Sequence, residues 1–104
     1  MTIKRPSKIA NVLGVIRKVV EVGIFVDVVQ AENRKRERNI TRPEYMYVLN
    51  HGYHEPKKDE YKEVFKAWNY AIRGKTIDDR ELRVVVSFDE NNMLIITVID
   101  LEIL

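Results

Sequence analysis

The chain has 104 residues, no cysteine and a formal net charge of +2. That length suits one domain around one core, and the missing thiols exclude disulfides and thiolate metal sites. No apolar run approaches the ~20 residues that cross a bilayer. No signal-like core follows Met1-Thr2-Ile3-Lys4-Arg5, so a soluble cytoplasmic protein with no membrane partner is expected. The small net charge hides an asymmetry. Residues 1–42 hold ten Lys/Arg against four acids, whereas the remainder holds eight against twelve. A basic first part suggests a surface that faces a polyanion.

Ser7 is placed to cap a helix over Lys8 to Val22, where Ile9, Val12, Leu13, Ile16, Val19 and Val20 form one apolar face. Gly14 weakens that helix and Gly23 ends it. Ile24 to Val29 reads as a short strand. Residues 30–38 are polar and helix-forming, with Arg34 and Arg38 one above the other on a helical face. Two stacked like charges favour an anion between them; a solvated basic helix is the plainer alternative. Thr41-Arg42-Pro43-Glu44 signals a helix start with its cap, and Gly52 the stop. Tyr53 to Pro56 reads as a short strand and Lys57 to Glu63 as a charged connector, mobile or loosely helical.

Three strands follow. Trp68, Tyr70 and Ile72 alternate within Lys66 to Arg73, and Leu82, Val84, Val86 and Phe88 within Leu82 to Phe88. Met93 to Ile99 is apolar on both faces except at Thr97. Asp89-Glu90-Asn91-Asn92 predicts a hairpin between the last two strands, and Gly74 to Arg80 is turn-like. Arg73 and Arg83 point away from the apolar runs. Each must reach solvent, a carboxylate or a phosphate. Asp78, Asp79 and Glu81 are the carboxylates nearest in sequence. The tail Leu101-Glu102-Ile103-Leu104 is expected to extend the third strand, pack on the first helix or pair with a partner edge.

His51 and His54 flank a helix-breaking glycine, and no clustered carboxylate adds ligands, so no metal site is expected. No glycine-rich phosphate loop follows a strand, so no nucleotide cofactor is expected either.

Several pieces taken together carry a resemblance. They are Ala31-x-x-Arg34-x-x-x-Arg38-x-Ile40-Thr41, Val48-Leu49-x-x-Gly52, Trp68-x-Tyr70-Ala71-Ile72-x-Gly74, Leu82-Arg83-Val84-Val85-Val86 and Ile96-Thr97-Val98. Over about residues 24–100 the chain resembles the domain of unknown function 4258. That family is in turn similar to the RelE and MqsR ribonuclease toxins of the barnase, colicin and RelE group. The resemblance implies a single α+β domain over 1–104, with two or three helices packed on a curved, mainly antiparallel sheet. An amino-terminal helix within 1–23 would precede the family region. It also implies a small RNA-cleaving toxin, acting on mRNA and encoded with an antitoxin protein. One position departs from the family. Its helix usually opens with His-Ala, and here the place reads Gln30-Ala31. Glutamine forms hydrogen bonds but takes no proton near neutral pH. His54 is the available substitute, and His51 reads as structural or solvated.

Metal-free RNA cleavage needs a base for the 2′-hydroxyl, cationic donors for the phosphorane and an acid for the departing 5′-oxygen. On this reading Arg34, Arg38, Arg73 and Arg83 bind and stabilise the phosphate, since a guanidinium meets two oxygens at once. His54 is the acid or base, and Gln30, Lys35, Tyr70, Lys75 and Thr97 contact RNA. Two alternatives stand beside it. One is a non-catalytic RNA-binding or regulatory module. The other is a protein-interaction domain, and a homodimer is an alternative assembly.

Overall fold

The computed structural model describes residues 5–29 and 40–102. Among these, two α-helices and six strands form an α+β fold. The helices are α1 (Val12–Val22) and α2 (Arg42–His51). The strands are β1 (Phe25–Asp27), β2 (Tyr53–His54), β3 (Glu60–Lys62), β4 (Ala67–Lys75), β5 (Glu81–Phe88) and β6 (Met93–Asp100), with a 3₁₀ turn at Pro56–Lys58. The helix expected over 30–38 lies outside the described residues, as do Gln30, Arg34, Lys35, Arg38 and the last two residues of the tail.

The strand order is β1-β6-β5-β4-β2, with β3 also paired to β4. β4, β5 and β6 are antiparallel neighbours, as their alternation and the Asp89–Asn92 hairpin anticipate. In that hairpin Asp89 Oδ1 accepts from the amides of Asn91 and Asn92, holding the turn shut. β1 lies parallel to β6, which makes the sheet mixed.

Cross-strand partners share a face. Tyr70, Ile72, Leu82, Val84, Val86, Met93, Ile95 and Val98 line one face and form the core with Val12, Ile16, Tyr45, Val48 and Leu49 of the helices. The other face carries Asn69, Arg73, Lys75, Arg83, Val85, Leu94, Thr97 and Ile99, and is open among the described residues. Between Val85 and Val86 the register to β6 slips, so Ile96 has no direct partner. This bulge explains why Met93 to Ile99 looks apolar on both faces. The core-facing set changes phase between Ile95 and Val98.

α2 starts as its sequence signals, with the Thr41 amide donating to Glu44 Oε1 at 2.8 Å. It packs on β4 and β5. α1 differs from expectation: it begins at Val12, not Lys8, behind an Asn11 in the left-handed region (φ 50°). Gly14 makes room for the Asn11 side chain, which a Cβ there would meet at 2.6 Å. Residues 5–9 instead form an irregular strap tied to the sheet, and Ala10 begins a turn. Three tertiary hydrogen bonds outweigh the local helical pattern. Trp68 Nε1 donates to Pro6 O at 2.8 Å, the Ile9 amide to Tyr70 Oη at 2.9 Å, and Lys8 Nζ to Pro56 O at 3.3 Å. Gly23 ends α1 at φ 84°, as expected. The connector 57–63 is also more ordered than its charge suggests, since Glu60–Lys62 pairs with Asn69, Trp68 and Ala67. β6 ends at Asp100, and the Leu101 amide donates to Glu81 O, so the tail continues along β5 at its first residue.

Candidate functional site

β2 and β3 both pair with the same edge of β4, but they leave a gap between them. β2 faces Arg73 and Ile72, and β3 begins at Asn69. At the gap the Glu55 amide donates to Ala71 O at 2.8 Å, and Asp59 Oδ1 accepts from the Ala71 amide at 3.0 Å. Asp59 therefore takes the place of a missing strand residue, and its side chain is fully enclosed, at 0% exposure. A buried carboxylate must be hydrogen-bonded and charge-compensated to persist. His54 Nε2 lies 2.8 Å from Oδ2, and Lys8 Nζ lies 3.1 Å from the same oxygen.

His54 faces the helix side of the sheet, opposite Ile72, with its ring edge-on to Tyr70 at 6.0 Å. Among the described residues its other nitrogen, Nδ1, has no hydrogen-bond partner. Among the described residues Arg17 Nε is the one buried side-chain polar atom left unpaired, so Nδ1 reaches solvent. The result is an imidazole held at one nitrogen by a buried carboxylate and open at the other. The exposed Lys57 and Lys58 stand in the turn between His54 and Asp59.

Arg73 and Arg83 are direct cross-strand partners on the open face. Two like charges so placed repel, and two glutamates intervene. Glu55 Oε1 accepts from Arg83 Nε at 2.8 Å, and Arg73 Nε donates to Glu81 Oε1 at 2.8 Å. Glu55 Oε2 also meets Arg73 Nη1 at 3.5 Å. The Arg83 hydrogen bond holds Glu55 below the ordinary carboxylate range against the opposing effect of burial. The Arg73 hydrogen bond does the same for Glu81, and Glu81 in turn raises Arg73. Of the carboxylates near in sequence only Glu81 is used here. Glu55 arrives from β2.

The residues assigned from sequence thus fall into two groups. Arg73, Arg83, Lys75 and Thr97 share the open face, where Lys75 pairs with the exposed Asp79 at 3.5 Å. His54 and Tyr70 lie on the helix side. His54 and the two arginines are therefore not brought onto one phosphate: β2 turns His54 one way and Glu55 the other. Tyr70 is 3% exposed and packed edge-on against Phe88 as well as His54. Its ring is thus enclosed in the core. Asp59, Glu55 and Lys8 carry no such signal in the sequence. Asp59 sits in a run of alternating charges that gives no sign of burial, and Lys8 sits within a helical pattern.

A family model described as a domain of unknown function, DUF4258, matches residues 30–100. The chain belongs to the DUF4258 family. No curated protein and no solved structure matches it. The DUF4258 region contains His54, Asp59, Arg73 and Arg83, while the strap and α1 lie before it. Among the described residues no group of three or more His, Asp or Glu is placed to hold a metal ion, and no helix is long and apolar enough to cross a membrane.

The glutamate–arginine network sets an acid dependence. Glu55 and Glu81 have folded-state values below the ordinary 4.5. Their stabilisation is fully present above that value and is lost as pH falls through the lower folded values. Urea midpoints measured between about pH 3 and pH 6 are expected to fall with acid. Glu55→Gln is expected to be less stable at neutral pH and to show a shallower decline. An unchanged slope in that variant would remove Glu55 from the network.

Proposed function

We propose that this DUF4258 protein is a metal-independent endoribonuclease, the toxin of a toxin–antitoxin pair related to RelE and MqsR, with His54 as its acid–base group. The observation that carries the reading is the His54–Asp59 couple. A fully enclosed carboxylate orients the ring at Nε2, and Nδ1 is open to a substrate. Imidazole is the side chain suited to moving protons near neutral pH. In the proposed step Nδ1 takes the 2′-hydroxyl proton and O2′ attacks the adjacent phosphorus. The P–O5′ bond breaks, and the 5′-oxygen receives a proton from an acid. The products are a 2′,3′-cyclic phosphate and a 5′-hydroxyl. Lys57 and Lys58 beside the couple supply positive charge, and by sequence Arg34 and Arg38 add to it. Arg73 and Arg83 fit phosphate binding less well, because each is held by a glutamate. The intended substrate is mRNA, and cytoplasmic location is part of the same proposal.

A toxin needs restraint, and the open sheet face suits a protein partner. A groove of about 1140 Å³ lies on it, with Phe65, Leu94 and Ile96 among its lining residues. An antitoxin seated there fits the toxin reading, and the same groove favours the second reading, a protein-interaction domain without nuclease activity.

Binding of single-stranded RNA is expected to weaken steeply with salt. Neutralising about four phosphates gives a log–log slope of roughly −3. The test is a salt titration with labelled RNA, run beside a cleavage assay with and without ribosomes. A flat salt response removes the RNA reading and leaves the protein-interaction one. Tight binding with no cleavage leaves a non-catalytic binder.

A further inference from the structure

We infer that Lys8 is a working part of the His54 site: its ammonium balances the buried Asp59 carboxylate, so that the His54 imidazole stays neutral and keeps a lone pair on Nδ1. This rests on the proposed role of His54 and adds a residue from outside the family match, which begins at residue 30.

Asp59 is at 0% side-chain exposure, and the two cation-forming groups on it are Lys8 Nζ at 3.1 Å and His54 Nε2 at 2.8 Å. An enclosed carboxylate requires a countercharge. With an ammonium present the requirement is met, and His54 need only donate its Nε2 hydrogen. Without the ammonium the imidazolium is the remaining source of positive charge. A doubly protonated ring has no lone pair and cannot act as a base.

The other groups facing the pair do not change this account. Tyr70 presents its ring edge to His54, and its hydroxyl oxygen accepts from the Ile9 amide. Glu55, the next residue along β2, is turned to the opposite face and occupied by Arg73 and Arg83. Lys57 and Lys58 are exposed. Lys8 is also held in place for the task. Its ammonium stands 4.8 Å from the centre of the Trp68 ring, and the neighbouring Pro6 carbonyl accepts from the indole. Arg5 lies over Tyr61 at 5.2 Å, fixing the start of the strap. Lys8 is thus a positioning residue that acts through Asp59.

The test is the ¹⁵N spectrum of the two histidine rings at neutral pH, with His51→Gln used to assign them. In the wild-type protein His54 is expected to show one protonated nitrogen, Nε2, and one bare nitrogen, Nδ1. In Lys8→Met both His54 nitrogens are expected to move to imidazolium positions, and Lys8→Arg is expected to restore the wild-type pattern. In a cleavage assay Lys8→Met should lower kcat more than it raises KM. An unchanged His54 spectrum in Lys8→Met, or an imidazolium already present in the wild type, overturns the inference. Trp68→Phe, which loses the bond to Pro6 O but keeps Lys8, provides a second route if Lys8→Met loses its dispersed amide spectrum. A partial shift in it supports the inference, and none overturns it. The ring spectrum does not depend on cleavage. A protein that cuts no RNA but shows the Lys8 effect loses the nuclease reading alone.

Discussion

Gly52→Ala is expected to lower the melting temperature by more than about 10 °C. Gly52 is where α2 hands the chain to β2, directly over β4. A Cβ there would sit 2.4 Å from the Arg73 carbonyl oxygen and 2.6 Å from that of Val48. Both are backbone atoms in regular elements, so no side chain can swing aside. Gly74 reciprocates, since its Cβ would stand 2.9 Å from Gly52 Cα. The Gly52 amide also donates to Val48 O, and its carbonyl accepts from Arg17 Nη2 at 2.8 Å, so moving this residue breaks further bonds. Overpacking of this kind costs on the order of 3 kcal/mol. For a domain of about this size each kcal/mol is worth roughly 4–8 °C. Gly23→Ala is the internal comparison. Nothing lies within 4 Å of its Cβ, and the penalty is only the positive φ of 84°, about 1 kcal/mol. Thermal melts of the two variants should therefore rank clearly. Equal shifts would show that the helix end and β4 are not in close backbone contact.

The second large effect is on chemistry. On the proposed nuclease reading, His54→Ala is expected to reduce RNA cleavage by ~10²-fold or more, the usual contribution of a general acid or base. Binding should change little if, as proposed, phosphate contacts come from other side chains. Arg83→Ala is expected to behave differently. It leaves Glu55, 14% exposed, without its main partner, so the loss should appear as roughly 1–3 kcal/mol of stability. Gln30→His tests whether a histidine there, as the resemblance implies, supplies a second proton-transfer group, and a gain in rate is expected. The assay is purified protein with end-labelled RNA, scored for 2′,3′-cyclic phosphate. If Arg73→Ala and Arg83→Ala abolish cleavage at full stability while His54→Ala cuts normally, the arginines and not His54 carry the chemistry.

What is legible in the sequence is whatever is encoded locally. The Thr41–Glu44 helix start, the Asp89–Asn92 hairpin and the alternation in β4 and β5 each need only neighbouring residues. The apolar match of Met93 to Ile99 on both faces is a true signal, but a bulge leaves no local mark that separates it from a fully buried strand. The strap shows the opposite failure: the helical pattern from Lys8 is real, yet Trp68 and Tyr70, some sixty residues away, capture its first turn. His54 stands out because the chain has only two histidines. Its partner does not, because Asp59 is enclosed by residues distant in sequence, Lys8 and Ala71 among them. The alternation places both arginines off the apolar face, where a carboxylate is among the partners they require, and that is where they lie. Glu55 escapes such reasoning because it arrives from another strand.

The parallel pairing of β1 with β6 has a consequence for synthesis. Phe25 lies opposite Met93, so β1 is made 68 residues before the strand that holds it. At a synthesis rate of roughly 5–20 residues per second, the interval is several seconds. During that time β1 has no sheet to join, and closing so long a loop is entropically costly. The sheet therefore closes on β1 only after β6 has left the ribosome. Ribosome-bound chains halted before residue 93 should leave the 24–28 segment open to protease, whereas full-length chains should protect it. Should the proposed nuclease reading hold, such ordering is a delay between translation and activity.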